Sequence, residues 1–167
     1  MPALILLRHG KSDWDAEDGG DDRARPLARR GRKAARRMGR FMARAGQVPD
    51  SAITSPAVRA ADTLQLAMGG GGWSCPVRTA PSLYGGGVSG LLAEVRREPV
   101  GTDVLLAVGH EPTWSAALAA LVGGGEVRFP TAALARVDLD VDRWDEVAPG
   151  TGVLAWLVVP RLLSRKV

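Results

Sequence analysis

The sequence predicts an α/β fold, a three-layer α/β/α sandwich in which helices cover both faces of a mixed, mostly parallel sheet. Two observations support this prediction. Short, continuous apolar runs recur along the chain, and such runs are typical of strands that are buried on both faces. Segments with helical periodicity separate these runs, and strands that alternate with helices favour parallel pairing.

The individual elements follow from these two patterns. Apolar runs predict strands at residues 3–7, 51–54, 103–109 and 152–160. Helical periodicity predicts helices at residues 26–45, 56–68, 88–98 and 112–122. No repeat or linker divides the chain, so residues 1–167 are expected to form one domain.

The mixed character of the sheet is predicted from the C-terminal third of the chain. Residues 133–140 alternate apolar and polar side chains and residues 143–147 follow closely, so the two segments predict a hairpin at the sheet edge. Runs of glycine at 69–72, 85–87 and 123–125 lie between elements and predict loops. None of them has the spacing of a phosphate-binding fingerprint.

Composition narrows the class of protein. A hydrophobic fraction of 46% with 24% charged residues is typical of globular domains. Cys75 is the single cysteine, so an intramolecular disulfide is excluded and a reducing compartment is expected. The sequence shows neither a leader-like start nor an apolar run near about 18 residues. A cytoplasmic protein that does not associate with membranes is therefore expected.

Much of the net charge of +4 lies in the predicted helix at 26–45. Its predicted apolar face consists of Leu27, Ala34, Met38, Phe41 and Ala45. Its predicted cationic face consists of Arg29, Lys33, Arg36, Arg40 and Arg44. Because aromatic stacking residues are not interleaved with these cations, the pattern favours a solvated basic face, and nucleic acid is not expected as a partner.

The two histidines of the chain each follow a predicted buried strand directly, His9 in LLRHG and His110 in AVGHEP. Ligands of open α/β sheets bind outside the carboxyl ends of the strands, so the imidazoles converge there if their strands are neighbours. Arg8 places a fixed positive charge beside His9, and Gly10 predicts a backbone conformation that other residues resist. This strand end therefore predicts a site as well as a turn.

A third predicted strand ends in SPAVRAADT. Ser55 is predicted to cap the following helix, with Pro56 in its first turn and Arg59 projecting from that turn. A helix N-terminus favours anions, and the arginine fork matches pairs of phosphate oxygens. Together with Arg8 and the two histidines, Arg59 predicts a pocket for a phosphate dianion.

Each of these residues has a simpler interpretation when it is taken alone. A single histidine at a strand end is more often structural than catalytic, and Arg59 alone would be an ordinary arginine on a helix surface. Two histidines without a convincing carboxylate partner make a weak metal site, so neither a metal ion nor a cofactor is expected. Only the combination indicates phosphate chemistry.

Three motifs, LLRHGKSDW, SPAVRAADT and VGHEPT, resemble in order and spacing those of the histidine phosphatase superfamily. The segments DDRARPLARRGRKAARRMG, SLY and FPTAALARVDLD resemble the small SixA-type phosphohistidine phosphatases, so the resemblance covers nearly the whole chain. It implies the phosphoglycerate mutase-like fold and assigns His9 as the nucleophile that takes the phosphoryl group. It also implies that Arg8, Arg59 and His110 contact that group and that no metal is required.

One departure from the superfamily pattern has a chemical consequence. Many phosphomonoesterases that this chain resembles carry a glutamate as proton donor after the third strand, whereas this chain reads PSLYGGGVSG there. An alkoxide leaving group needs a proton, and a general acid contributes roughly 10² to 10⁴ in rate. Glu111 and Asp13 are alternative donors, although each is more typical of a solvated or capping carboxylate, and Asp15 is expected outside the pocket because phosphate repels it.

Three functions follow as hypotheses. The first is a phosphatase that acts on phosphohistidine or another phosphoramidate, on a protein or a small metabolite, through a phosphohistidine intermediate. The second is a small-molecule phosphomonoesterase of the same superfamily. The third is a weakly catalytic phosphate-binding regulatory module that docks an acidic partner. A monomer or weak dimer is expected.

Overall fold

A computed structural model describes residues 1–17 and 20–163. The strands are β1 Ala3–Arg8, β2 Ser51–Thr54, β3 Val77–Thr79, β4 Val104–Gly109, β5 Leu134–Leu139 and β6 Gly152–Val158. The α-helices are α1 Arg29–Arg44, α2 Val58–Gly71, α3 Gly87–Val95 and α4 Thr113–Leu121. Short 3-10 helices lie at Asp22–Ala24, Pro81–Leu83, Trp144–Glu146 and Pro160–Leu163.

The strands form one mixed sheet in the order β3-β2-β4-β1-β5-β6. The four strands from β3 to β1 are parallel to one another, while β5 is antiparallel to both β1 and β6. Arg8 at the end of β1 lies opposite Gly109 at the end of β4, and Thr54 at the end of β2 lies opposite Val108. The carboxyl ends of β1, β2 and β4 therefore lie together at one edge of the sheet.

Helices cover both faces of this sheet, which confirms the predicted α/β/α sandwich. Leu4 and Leu6 of β1 pack in a cluster with residues of α3 and α4. Ile5 and Leu7 point to the opposite face and pack with residues of α1 and α2. Because side chains alternate between the two faces of a strand, a continuous apolar run is what a doubly covered strand requires.

Helices α1 and α2 pack closely because glycines line their contact. A Cβ atom at Gly39 would overlap the Ala67 carbonyl, and one at Gly70 would approach the Arg36 carbonyl oxygen to 2.5 Å. The predicted loop at 69–72 is therefore wrong for residues 69–71, which continue α2. The helix ends at Gly71, and the following residue, Gly72, has a left-handed φ of 68° that stops it.

Helix α1 begins at Arg29 and not at residue 26, and its buried side differs from the predicted one. The buried residues are Gly31, Ala35, Met38, Gly39 and Met42. Ala45 is exposed and lies after the helix, and Leu27 pairs with Ser12 in an isolated bridge before it. The five predicted cationic residues are all exposed.

The predicted hairpin between residues 133–140 and 143–147 is wrong. β5 instead pairs with β6, and Trp144–Glu146 forms a 3-10 helix. The indole Nε1 of buried Trp144 donates to the Thr102 carbonyl at 2.8 Å, and the Glu146 carboxylate accepts from the amides of Asp142 and Arg143. Side-chain bonds to the local backbone close a turn here and compete with strand pairing.

The sheet also contains the short edge strand β3, which the sequence patterns do not reveal. In the part of the chain that the structure describes, no helix has the length and apolar character needed to cross a membrane.

Candidate active site

A pocket of about 310 Å³ lies where β1 and β4 end, with Arg59 of α2 in its lining. We call it the strand-end pocket. Its lining residues are Arg8, His9, Lys11, Ser12, Trp14, Arg25, Arg59, His110, Glu111 and Thr131. The His9 and His110 rings lie 5.1 Å apart between centroids. The structure therefore brings together all four residues that the sequence analysis selected.

His9 is held in one tautomer by its own neighbour. Nδ1 lies 2.7 Å from the Gly10 carbonyl oxygen, which only accepts hydrogen bonds, so Nδ1 carries the ring hydrogen and Nε2 keeps its lone pair. Burial lowers the pKa of His9 to about 3, against the opposing effect of this hydrogen bond, and His110, Arg59 and Arg8 lower it further. The imidazole is therefore neutral at physiological pH.

Gly10 is required by a close approach and not by an unusual conformation. Its φ is not in the left-handed region, so the predicted special backbone conformation is wrong. A Cβ atom at this position would come within 2.8 Å of the Gly31 carbonyl oxygen in α1. The Gly10 amide donates to the Thr63 hydroxyl of α2 at 3.0 Å. The absence of a side chain thus lets the His9 segment pack directly on both helices.

His110 is positioned by Ser55 from the neighbouring strand end. Its Nε2 lies 2.7 Å from the Ser55 hydroxyl oxygen, which also accepts from the Ala57 amide at 3.3 Å. Burial lowers the pKa of His110 to about 4, with Arg59 as the next cause. Its Nδ1 is buried and has no hydrogen-bond partner among the described residues. Ser55 is therefore not the predicted cap of α2, which begins at Val58 after Ala57.

Arg8 is held from the opposite side of the pocket. Its Nη1 donates to the Phe129 carbonyl oxygen at 2.8 Å. Burial lowers the pKa of this guanidinium, although the Glu111 charge opposes that shift. The amide of Ala132 donates to the carbonyl oxygens of both Arg8 and His9, at 3.1 and 3.0 Å. Ala132 has a left-handed φ of 59°, which costs an alanine about 1 kcal/mol and is held here by its surroundings.

Arg59 already contacts an internal anion. Its Nη1 donates to the Asp22 backbone oxygen at 2.5 Å, and its Nη2 donates to Asp22 Oδ2 at 2.8 Å. The Asp22 carboxylate also pairs with Arg25 and accepts from the Tyr84 hydroxyl at 2.8 Å. Burial opposes ionisation of Asp22, but the hydrogen bonds from Tyr84 and Arg59 outweigh it and lower the pKa of the carboxyl. Asp22 thus occupies donors on Arg59 that an oxyanion would use.

The other carboxylates near the pocket have local partners. Glu111 accepts from the Ser115 amide at 2.9 Å and from the Ser115 hydroxyl at 2.6 Å. Asp13 Oδ1 accepts from the Asp15 amide at 3.0 Å, and neither Asp13 nor Asp15 lines the strand-end pocket. Glu111 thus caps the start of α4 although it also lines the pocket.

The sequence analysis did not identify Asp22, Arg25 and Tyr84 as part of the site. It predicted Ser55 as a helix cap, whereas Ser55 contacts His110. Arg25 is buried in the strand-end pocket, with its guanidinium carbon 3.4 Å from the centroid of the Trp14 ring. The residue before a proline avoids helical conformation, so Pro26 was a signal that Arg25 lies before the helix. Asp22 and Tyr84 meet across 62 positions of sequence, and no local pattern reveals that pairing.

This arrangement suits the binding of a small oxyanion beside a neutral nucleophilic imidazole. Buried arginines provide charge in a site of reduced water access, where a charge interacts more strongly than in bulk solvent. Among residues 1–17 and 20–163, no group of three or more His, Cys, Asp or Glu side chains is arranged to hold a metal ion.

Comparison with known proteins gives a consistent picture. Residues 4–84 match the family model of the histidine phosphatase superfamily, branch 1. An uncharacterised protein of Mycobacterium tuberculosis is 34% identical over 165 residues, which cover 93% of this chain and 100% of the relative.

Solved structures extend the similarity to the whole fold. The chain named putative phosphohistidine phosphatase SixA from Nakamurella multipartitia is 30% identical, with a TM-score of 0.81 over 95% of this chain and 96% of the other. The protein histidine phosphatase SixA in complex with tungstate is 25% identical, with a TM-score of 0.83 over 97% of this chain and 99% of the other.

Proposed function

We infer that this chain, which belongs to the histidine phosphatase superfamily as a SixA-type phosphatase, hydrolyses a phosphohistidine carried by a protein. In this proposal His9 is the nucleophile, and Arg8, Arg59 and His110 bind the phosphoryl group. The reaction uses no metal ion. The observation that supports the proposal most directly is the 2.7 Å contact between His9 Nδ1 and the Gly10 carbonyl oxygen, because it leaves Nε2 unprotonated for attack.

The first step transfers the phosphoryl group to the enzyme. Nε2 of His9 forms a bond to phosphorus while the bond between phosphorus and the substrate imidazole breaks. One phosphorus–nitrogen bond replaces another, so the nucleophile and the leaving group are chemically matched. The substrate ring departs as neutral imidazole when its other nitrogen carries a hydrogen before the bond breaks, and imidazole is a weak base with a conjugate-acid pKa of about 6.5.

The charge of the transferred group is spread over its equatorial oxygens, and positioned cations stabilise it. Arg8 and Arg59 supply fixed positive charge in this proposal. If the Ser55 hydroxyl donates to His110 Nε2, the ring hydrogen of His110 lies on the unpartnered Nδ1, which can then donate to a phosphoryl oxygen. Ser55 is thus a positioning residue for His110.

The second step returns His9 to its starting state. Water attacks phosphorus, the bond to Nε2 breaks, and its electron pair returns to the imidazole as neutral His9. Inorganic phosphate leaves, and the proton of the attacking water passes to solvent. The lowered pKa of His9 supports this step because a weakly basic imidazole is a good leaving group.

The carboxylates of the site favour phosphohistidine over an alkyl ester. Asp22 is held ionised by its donors, and Glu111 accepts two hydrogen bonds from Ser115. Neither is arranged as a protonated donor, whereas an alkoxide leaving group needs one and an imidazole needs far less help.

The test is a comparison of kcat/KM for a phosphohistidine peptide, an aryl phosphate and a simple alkyl phosphate, each with and without EDTA. The alkyl phosphate should be slower by roughly 10² to 10⁴, EDTA should have no effect, and vanadate or tungstate should inhibit. Equal rates for the alkyl phosphate and the phosphohistidine would contradict the proposed substrate. Activity that EDTA removes and zinc restores would contradict the metal-free reaction.

Glu111→Gln is the matched variant for the proton donor. We expect it to leave the relative rates of the three substrates unchanged, because Glu111 acts as a helix cap. A selective loss of alkyl phosphate hydrolysis would instead identify Glu111 as the acid.

A further inference from the structure

A groove adjoins the strand-end pocket and has no role in the reaction described above. It has a volume of about 890 Å³, against about 310 Å³ for the pocket. It lies between the N-terminal half of α1, the segment 128–131, and the end of β6 with the 3-10 helix that follows. We call it the cationic groove.

The cations of this groove come from four parts of the chain. They are Lys11, Arg30, Lys33, Arg37, Arg128 and Arg161. No acidic residue of the described chain is among the residues that line the groove. Arg30, Lys33 and Arg37 repeat at the spacing i, i+3 and i+7, so they share one face of α1. Of the five residues in the predicted cationic face of α1, only Lys33 lines this groove, and Arg30 and Arg37 extend the basic surface beyond that face.

Most cations of the groove have no counterion among the described residues. Lys11, Arg30, Lys33 and Arg128 make no ion pair or side-chain hydrogen bond with the described residues, and Arg37 only donates to the Pro160 carbonyl oxygen at 3.4 Å. By contrast, several arginines outside the groove pair with carboxylates: Arg78, Arg97, Arg136 and Arg143. Clustered like charges without counterions repel each other, and an acidic ligand would relieve this repulsion.

The groove is continuous with the strand-end pocket. Lys11 and Thr131 line both. A molecule with a phosphoryl group in the pocket can therefore extend into the groove without leaving the surface. A small phosphate ester would occupy the pocket alone.

Apolar residues also line the groove, and they indicate the class of ligand. Its residues are Ala34, Leu157, Val159, Pro160 and Leu162. No aromatic side chain lines the groove in the described chain, so it offers no platform for stacking nucleic-acid bases. Apolar contacts bordered by cations suit a polypeptide that presents both apolar and acidic side chains.

We propose that the cationic groove binds an acidic segment of the phosphoprotein whose phosphorylated side chain enters the strand-end pocket. This proposal rests on the proposed function, and it adds the kind of substrate surface that the enzyme recognises. The α1 cations of the groove are proposed to affect substrate binding and not the chemical step, because none of them lines the strand-end pocket.

Two triple variants on the same helix test the proposal. The groove variant is Arg30→Glu, Lys33→Glu and Arg37→Glu, and the control is Arg36→Glu, Arg40→Glu and Arg44→Glu, whose residues lie outside the groove. Both triple variants lower the net charge by the same amount. An effect of net charge alone would therefore change the KM of both variants equally. Circular dichroism and thermal unfolding verify that each variant is folded.

The substrates are an aryl phosphate and two phosphohistidine peptides of equal length, one rich in glutamate and one neutral. The groove variant should have a KM for the acidic peptide that is about tenfold or more above that of the wild type. Its KM for the aryl phosphate should change by less than about twofold, and so should the KM of the control variant for the acidic peptide. Added salt should raise the wild-type KM for the acidic peptide and have little effect on the groove variant. Equal effects of both triples, or a wild type that does not prefer the acidic peptide, would overturn the proposal.

Direct binding separates this proposal from the proposed function. Fluorescence anisotropy with an unphosphorylated glutamate-rich peptide should show binding by the wild type and the control variant, and loss of binding by the groove variant. Binding without any phosphohistidine hydrolysis would leave the groove proposal standing while the proposed function fails. Groove-dependent binding of single-stranded RNA or anionic vesicles, without binding of the peptide, would overturn the groove proposal.

Discussion

The strand-end pocket and the cationic groove both concentrate positive charge, but they hold it differently. In the pocket, Arg25 and Arg59 are each 6% exposed, and Asp22 neutralises them in part. In the groove, Arg30, Lys33 and Arg128 are exposed and unpaired within the described chain. Fixed, desolvated charge suits the stabilisation of a transition state, whereas mobile, hydrated charge suits recognition of a partner. Single substitutions should therefore have large effects in the pocket and small effects in the groove.

The largest expected effect is that of His9→Ala in the pocket. Turnover should fall to background because no other described imidazole is held with its Nε2 unprotonated by a backbone carbonyl. Labelled phosphate from a phosphohistidine substrate should be trapped on the wild type and not on the variant. Tungstate should still bind to His9→Ala, which shows that the pocket is folded. Full turnover, or label on another residue of the variant, would contradict the role of His9.

The burial of the two imidazoles should also make stability depend on pH. The pKa values of His9 and His110 lie at about 3 and about 4 in the folded chain, below the ordinary value of 6.5. The unfolded chain binds more protons in this interval. The contribution of the two neutral imidazoles to the free energy of unfolding is therefore fully present above about pH 6.5, and it is lost as the pH falls toward 4 for His110 and 3 for His9. Each imidazole should contribute about 1.4 kcal/mol per pH unit within the window.

Urea unfolding between pH 6 and 5 measures this slope, and His9→Ala should reduce it by about half. Because the chain contains two histidines, their Cε1–H signals in NMR provide a direct control. Neither signal should titrate near pH 6.5. A midpoint at that pH would show that the ring is solvated and not desolvated by the pocket.

Arg59→Ala should remove about 2 to 4 kcal/mol of transition-state stabilisation, which corresponds to about 30- to 1,000-fold in kcat/KM. The reason is the loss of a buried donor fork, and the matched control is Arg143→Ala, an exposed arginine that pairs with Asp145. Arg143→Ala should leave kcat/KM unchanged. Similar losses from the two variants would remove the distinction between buried and exposed cations.

Asp22→Asn should have a smaller effect, in the opposite direction. The substitution removes the negative charge that Arg59 Nη2 contacts, while the Nη1 bond to the backbone oxygen of residue 22 remains. Tungstate should therefore bind about fivefold more tightly, which corresponds to about 1 kcal/mol for a half-exposed ion pair. Asp21→Asn is the control, because Asp21 accepts from the Arg23 amide and does not contact Arg59. Weaker binding in Asp22→Asn would show that the carboxylate orients Arg59 and does not compete with the ligand.

The cations illustrate how far the sequence alone could lead. Arg8 and Arg59 are identifiable because each follows a buried strand within a few residues, and that position has a known geometric meaning. Arg25 is not identifiable by periodicity because it belongs to an irregular segment before α1. The basic face of α1 was predicted as solvated, and its residues are exposed. Which of these cations line a groove depends on the packing of the segment that follows β6.

By itself the sequence determined the alternation of buried strands and helices and the placement of His9 and His110 at strand ends. These are local properties, because apolar periodicity and strand termini are encoded within a few residues. Only the tertiary structure decided that β4 lies between β1 and β2, which brings His9, His110 and Ser55 to one edge. It also decided that Asp22 pairs with Arg59 across 37 positions of sequence. Strand order and ion pairing of this kind depend on contacts between distant segments, and such contacts leave no period in the sequence that joins them.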